Sequence, residues 1–154
     1  MKRIFSILLL ATGLLAATAC SKTSDNMAPA VVALPAVSGT FSGAQQVPVA
    51  TTSATGSFVG TFDKVTRELR YTITFTGLTP VAGHLHTGAP GMNGPVFQPF
   101  PKNNATSDGY ESPITGTTTL TQAQAAALLA NGIYANLHTA ANPGGEIRAD
   151  LTVK

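Results

Sequence analysis

Hydrophobic and polar residues alternate most regularly between residues 69 and 76. This period of two predicts a β-strand with one buried and one exposed face. A second alternating stretch closes the chain and predicts a last strand at 146–153, again with an apolar and a polar face. The apolar positions of the two strands are Leu69, Tyr71, Ile73, Phe75, Ile147, Ala149, Leu151 and Val153.

Shorter apolar runs that end at glycine or proline predict the remaining strands. One segment, 121–130, predicts a helix instead, because Thr121 can cap it and Gln124 completes a capping box. Seven or eight short strands with one short inserted helix predict an all-β fold, an immunoglobulin-like Greek-key β-sandwich. The further strands are predicted at 39–49, 56–62, 81–87, 96–100, 113–120 and 133–139.

The first nineteen residues stand outside this pattern and predict a signal peptide. Lys2 and Arg3 precede a mostly apolar run from Ile4 to Leu15, which is typical of segments that direct export. Polar residues interrupt the run before it reaches the ~20 apolar residues that a spanning helix needs. We therefore predict that residues 1–19 are cleaved off and that the protein is exported, rather than held by a transmembrane helix.

The signal ends in a cysteine that predicts a lipid anchor. Residues 15–20, Leu-Ala-Ala-Thr-Ala-Cys, resemble the bacterial lipobox, in which the cysteine receives a diacylglycerol thioether. Ala17 stands where that pattern prefers leucine. Cys20 is the only cysteine, so no thiol remains for a disulfide or a thiolate metal site. We predict lipidation of Cys20, with membrane lipid as its partner; the alternative is an incidental cysteine.

Residues 20–37 predict a lipidated flexible tether, because they are polar at first and then rich in alanine, proline and valine. The alternative for residues 31–37 is an edge strand. The folded domain is predicted at 38–154. Ser21, directly after the cysteine, resembles the sorting pattern that favours the outer membrane of Gram-negative bacteria. The predicted location is therefore a bacterial outer membrane, with the domain in the periplasm or at the cell surface.

Net charge excludes one class of partner. The sequence contains nine lysines and arginines against seven acidic residues, but Lys2 and Arg3 belong to the predicted signal. The mature chain is therefore formally neutral, and it contains no basic run. Nucleic acid is not a predicted partner, because phosphate binding requires a concentration of positive charge.

The three histidines are the candidate metal ligands. His84 and His86 are two residues apart on a predicted strand, so their side chains project from the same face. His138 shares a strand face with Tyr134 and Asn136. Together the three histidines predict a site for one copper or zinc ion. The predicted supporting residues around the ligands are Glu146, which would orient a ring N–H, together with Arg148 and Asn136.

A structural role is the alternative for the same histidines. In that interpretation each imidazole bonds to the backbone of a loop, at 88–95 or at 140–145, and holds it in place. The glycines of residues 88–95 do not form a phosphate-binding loop, because no Lys-Ser or Lys-Thr follows them and no helix begins there.

Several ordered motifs resemble the CHRD domain, which is named for its repeats in the developmental antagonist chordin and also occurs singly in bacterial secreted proteins. The resemblance covers residues 38–153, with a departure at Ala149-Asp150, where the family tends to have Gly-Gln. It implies a binding or structural module outside the cytoplasm. The motifs are Gln45-Gln46-Val47-Pro48, Leu69-Arg70-Tyr71, Gly77-Leu78-Thr79, the run from His84 to Pro95, Leu120-Thr121, Tyr134 to Thr139 and Pro143 to Arg148.

Two other functions remain open at this stage. The His-x-His strand followed by a glycine-rich loop also resembles Cu/Zn superoxide dismutase, but that enzyme uses about six histidines. A degenerate one-metal version, with Arg148 guiding the anion, is one alternative, and a bound redox-active copper would favour it. The other is a protein- or glycan-binding module that uses the loop 102–112 while its histidines are structural. Because no catalytic constellation is complete, we predict that the protein is not an enzyme.

Overall fold

The structure is a computed structural model that describes residues 33–104 and 109–154. The predicted signal peptide, Cys20 and most of the predicted tether lie outside the described residues. Within the described ranges no helix is both long and apolar enough to span a membrane. The strands are β1 (Ala36–Ser42), β2 (Thr55–Asp63), β3 (Glu68–Thr76), β4 (Ala82–Thr87), β5 (Val96–Pro99), β6 (Ile114–Thr119), β7 (Ile133–His138), β8 (Ile147–Asp150) and β9 (Thr152–Val153), with helix α1 (Gln122–Leu129) and a 3₁₀ turn (Gly43–Gln45).

All strands pair antiparallel in one sheet, in the order β5-β4-β7-β8-β1-β2-β3-β6, and β9 pairs with β1. The sheet curls back on itself, because its two end strands meet: the Thr118 hydroxyl donates to Gln98 Oε1 at 3.0 Å. The predicted all-β class with one short helix is confirmed. The predicted last strand is divided in two at Leu151, which lies between β8 and β9 and whose N–H donates to Ile133 O.

The apolar face of the sheet encloses the core. The alternation predicted for residues 69–76 is confirmed in β3, whose residues are buried and exposed in turn. Tyr71 needs an unusual amount of room there, and a Cβ on Gly116 would lie 2.3 Å from its hydroxyl oxygen. The fully buried apolar side chains include Phe41, Phe58, Phe62, Leu69, Ile73, Leu85, Ile114, Leu128, Ile133, Leu137, Ile147 and Leu151.

Helix α1 begins as the sequence predicts. The Thr121 hydroxyl accepts the Gln124 N–H at 3.2 Å, and Gln124 Oε1 accepts the Thr121 N–H at 2.8 Å. These two bonds form the capping box, which satisfies donors that have no partner within the helix. Asn131, at φ 55°, turns the chain away after the last helical turn.

Strands β4, β7 and β8 carry polar side chains on the face opposite the core. His84 pairs with Asn136 and His86 with Tyr134, while Asn136 and Tyr134 pair in turn with residues of β8. Directly paired residues share a face, so the three strands build one continuous layer. We call it the polar layer. It consists of His84, His86, Tyr134, Asn136, His138, Arg148 and Asp150.

Candidate functional site

The three histidines meet on one face of the paired strands β4 and β7, where the start of β4 lies beside the end of β7. Each offers one ring nitrogen, and these three atoms lie within 4.8 Å of one another. His84 and His86 extend from the same face of β4, as their spacing predicts. His138 joins them because it pairs with Ala82, two residues before His84. The structure therefore brings His138 beside two histidines that precede it by about fifty positions in the sequence.

The His86 ring has one bonded and one unbonded nitrogen. Its Nδ1 lies 3.0 Å from Gly94 O, and because a carbonyl only accepts, Nδ1 carries the proton. Nε2 then carries no proton and presents a lone pair. This atom is buried, and it is the one buried side-chain nitrogen or oxygen among the described residues without a hydrogen-bond partner. A buried polar atom without a partner costs about 1–3 kcal/mol, unless a bound group satisfies it.

His138 is held in the same way. Its Nδ1 lies 3.0 Å from Pro143 O and donates to it, so its Nε2 accepts. His84 Nδ1 is 3.3 Å from that Nε2 and donates to it in the metal-free protein. Two nitrogens that are each ~2.0 Å from a tetrahedral ion would also be ~3.3 Å apart. An ion could therefore take the place of this one proton without the rings moving apart.

Burial keeps all three imidazoles neutral. It lowers the pKa of His84 to about 4, and repulsion from His138 and His86 adds to the shift. Burial also lowers the pKa of His86 and of His138, against the opposing effect of their bonds to Gly94 and Pro143. Neutral imidazole is the form that binds metal. At neutral pH the three side chains are therefore in the form that could ligate a metal ion.

Arg148 and Tyr134 support the His86 ring. Tyr134 stacks on His86, with ring centroids 4.6 Å apart and planes inclined by 12°. The Arg148 guanidinium carbon lies 3.6 Å from the centre of the Tyr134 ring. Arg148 is fully buried, and it donates to the carbonyls of Ala89 and Met92 and to the Asp150 carboxylate. It therefore ties loop 88–95, whose Gly94 carbonyl orients His86, to the sheet.

The other predicted supporting residues hold loops. Glu146 accepts from the hydroxyls of Thr52 and Thr139 at 2.8 and 2.6 Å. The Thr139 bond lowers the pKa of its carboxyl, and the Thr52 bond adds to this. Neither of these bonds reaches a histidine, so the orienting function predicted for Glu146 falls to the carbonyls of Gly94 and Pro143. Asn136 accepts from Gln46 Nε2 at 2.6 Å and braces the loop after β1.

Sequence reasoning missed three contributors to the site. Tyr134 was recognised only as a neighbour of His138 on its strand, and its stacking on His86 depends on the register of β4 against β7. Gln46 lies ninety residues from Asn136 in the chain. The alternation in 146–153 places Asp150 on the polar face of the last strand, but it does not predict the ion pair with Arg148. Its pairing with the buried cation could have been suspected from the i, i+2 spacing of opposite charges.

Comparison with known proteins agrees with the motif analysis. Residues 37–151 match the family model of the CHRD domain. The matched region contains strands β2 to β8, helix α1 and all three histidines. Comparison with curated proteins and with solved structures gave no match.

Proposed function

Since the chain belongs to the CHRD domain family, we propose that it is an exported, lipid-anchored binding module whose domain holds one copper or zinc ion. The ligands are His84, His86 and His138. The observation that carries this proposal is the His86 Nε2 lone pair, which is buried and without a partner. It faces a site in which the other two imidazoles are also neutral.

The two interpretations of the histidines are compatible. The Nδ1 atoms of His86 and His138 bond to loop carbonyls, as the structural interpretation predicts. These same bonds fix the tautomers in which Nε2 carries no proton, which is the usual arrangement around histidine-ligated metals. The loops 88–95 and 139–145 are then the outer support of the metal site.

Metal analysis tests the proposal directly. The mature protein, purified without a histidine tag, would be loaded with Cu²⁺ or Zn²⁺, desalted and analysed for bound metal. We expect one ion per chain, and none in the variant His84→Ala/His86→Ala/His138→Ala. A single change, His84→Gln, separates binding from folding, because His84 makes no hydrogen bond to either loop among the described contacts. Retention of stoichiometric metal in His84→Gln would contradict the proposed ligand set.

We propose binding rather than a dismutase-like redox reaction. That reaction needs a cation that attracts the anionic substrate, and Arg148 was the candidate for this role. Its guanidinium is fully buried and already engaged by Asp150, two carbonyls and Tyr134. If the loaded protein holds no metal and the triple variant is less stable, the histidines are structural. The function then lies with a protein or glycan partner, for which loop 102–112 is the candidate surface.

The lipid anchor is the second part of the proposal. It is supported by the lipobox-like sequence before Cys20 and by the lack of any other cysteine. Mass spectrometry of the N-terminal peptide from membranes tests it. We expect a diacylglycerol thioether on Cys20 and loss of membrane retention in Cys20→Ser. An unmodified cysteine, or a mature N-terminus elsewhere, would contradict the anchor. Retention of the acylated protein in the outer-membrane fraction would support the predicted location.

A further inference from the structure

The described chain enters the domain at one end of the sheet, and His84 and His138 lie toward the other. Ala36, the first residue of β1, exchanges backbone hydrogen bonds with Lys154. Ser42, the last residue of β1, pairs with Thr55 and Arg148. Six residues of strand separate these two points, or about 20 Å. His84 belongs to the Ser42 end, because its partner Asn136 pairs in turn with Arg148, the partner of Ser42. His138 follows Asn136 by two residues on β7 and lies at the same end.

Four chain segments meet where the chain enters, and hydrogen bonds connect them. Pro35 O accepts the N–H of Phe62, which precedes the turn between β2 and β3, and Arg67 O in that turn accepts the N–H of Leu120. The Val153 N–H donates to Asn131 Oδ1, just after helix α1. We call this surface the entry end. Its exposed aliphatic and cationic side chains are Leu34, Lys64, Val65, Arg67, Arg70, Leu129 and Lys154.

The entry end combines exposed apolar side chains with positive charge. Val65 projects from the β2–β3 turn with 88% of its surface exposed, and Leu34 and Leu129 are nearly half exposed. Four of the six cationic side chains in the described ranges lie here, against two acidic residues, Asp63 and Glu68. The rest of the described surface and polar layer has two cations against three acids, so the charge of the domain is polarised along the sheet.

We propose that the entry end rests on the anionic phospholipid surface that holds the acylated Cys20, and this inference depends on the anchor proposed above. Val65 and Leu34 would enter the interfacial layer, while Lys64 and Lys154 would lie near lipid phosphates. The twelve residues between Cys20 and Ala33 span at most about 40 Å. This keeps the entry end close to the bilayer. For the histidine end to contact the bilayer instead, about half of that length would have to run along the side of the domain.

Orientation then determines which side of the domain the surrounding solution reaches. With the entry end on the membrane, His84 and His138 lie on the side of the domain that is remote from the lipid. The metal site receives ions from the aqueous compartment and not from the bilayer surface. Acylation of Cys20 and the orientation of the domain are separate properties, so one preparation can test both.

Because Cys20 is the only native cysteine and its acylation leaves no free thiol, a cysteine introduced elsewhere can be labelled at that one position. Variants Val65→Cys and Ala141→Cys place one labelling site at the entry end and one at the histidine end. The acylated proteins, each carrying an environment-sensitive fluorophore, would be inserted into phosphatidylglycerol–phosphatidylethanolamine vesicles containing a headgroup nitroxide lipid. We expect at least threefold stronger quenching at position 65 than at 141. Equal or reversed quenching in protein with acylated Cys20 would overturn the orientation and leave the anchor standing.

Charge provides the second arm of the experiment. Lys64→Glu/Lys154→Glu, made in the Val65→Cys background, should reduce the quenching by half or more, and neutral phosphatidylcholine vesicles should have the same effect. Quenching that survives both changes would overturn the anionic-lipid contact. Mass spectrometry of each preparation reads the state of Cys20 independently. A chain without acyl groups would overturn the anchor and the orientation together, which distinguishes that failure from a wrong orientation alone.

Discussion

The imidazole of His86 lies flat on the ring of Tyr134, with the two centroids 4.6 Å apart. This contact fixes the plane of a proposed ligand whose Nε2 is buried without a partner. Ligand orientation therefore depends on a residue that offers no metal-binding atom of its own. Groups that orient metal-bound histidines commonly affect metal affinity by about 10–100-fold.

Tyr134→Leu should weaken metal binding by about tenfold or more, because the leucine cannot support the His86 ring. Tyr134→Phe keeps the stacked ring and loses only the hydroxyl contact with Gly94, so its affinity should stay within about threefold of the parent. Competition with a chromophoric chelator measures both. Equal losses in the two variants would show that the hydroxyl, and not the stack, matters.

Arg148→Met should destabilise the domain by about 3 kcal/mol, because it leaves Asp150 and two loop carbonyls without their buried donor. Arg70→Met is the matched control. Arg70 forms a surface ion pair with Glu68 and is 65% exposed, so its loss should cost less than about 1 kcal/mol. Urea unfolding of the metal-free proteins gives both free energies. A cost for Arg148→Met as small as that of the control would contradict its role in holding loop 88–95.

Bound metal should stabilise the folded protein. At a free Zn²⁺ concentration of about 100 times the dissociation constant, the gain in unfolding free energy is about 2.7 kcal/mol. This should raise the melting temperature by roughly 10 °C or more for a domain of this size. The His84→Gln variant should show no comparable rise. A similar stabilisation of both proteins would place the ion elsewhere.

The metal-free protein should lose stability as the pH falls from about 6.5 to 5. Burial lowers the pKa of His84 to about 4 in the folded state, whereas an exposed histidine titrates near 6.5. The unfolded state therefore binds more protons in this range, and acid favours it. The carboxyl of Glu146 contributes little above pH 5, because its ordinary pKa is 4.5.

His84→Gln should make this pH dependence shallower. Melting temperatures recorded at intervals between pH 5 and pH 7, in the presence of a chelator, provide the measurement. Two profiles of identical slope would show that His84 is not the group responsible.

Gly116→Ala should destabilise the domain by about 1–3 kcal/mol, because its new Cβ would lie 2.3 Å from the Tyr71 hydroxyl oxygen. Gly144→Ala is the control, since no atom lies within 4 Å of the position that its Cβ would take. Thermal unfolding distinguishes them. A neutral Gly116→Ala would mean that Tyr71 can move aside within the core.

Much of the fold was accessible from the sequence because local signals specify it. The alternation at 69–76 and the capping box of Thr121 and Gln124 are properties of neighbouring residues, and both are confirmed in the structure. The division of the last strand was not accessible. It depends on how residues 147–153 pair with β7 and β1, which are distant in the chain.

The candidate site, too, was predictable only where neighbouring residues specify it. Placing His84 and His86 on one face required only the period of a strand. Placing His138 beside them required the register of β7 against β4, and the stacking of Tyr134 required it too. The sequence predicts that Glu146 orients a histidine ring, whereas in the structure two backbone carbonyls bond to the rings. This difference depends on the paths of loops 88–95 and 139–145, and sequence periodicity carries no information about those paths.

The polar layer, with Arg148 fully enclosed and Asn136 and Tyr134 nearly so, gives this small domain two interiors on opposite sides of the same three strands. One is apolar and holds the main core, and the other is held together by hydrogen bonds and contains the proposed metal ligands. Because a sheet separates them, substitutions on its two sides that lie more than about 10 Å apart should have additive effects on the free energy of unfolding. In such a domain, substitutions in loops 88–95 and 139–145 can alter the proposed binding site while the sheet and its core stay the same.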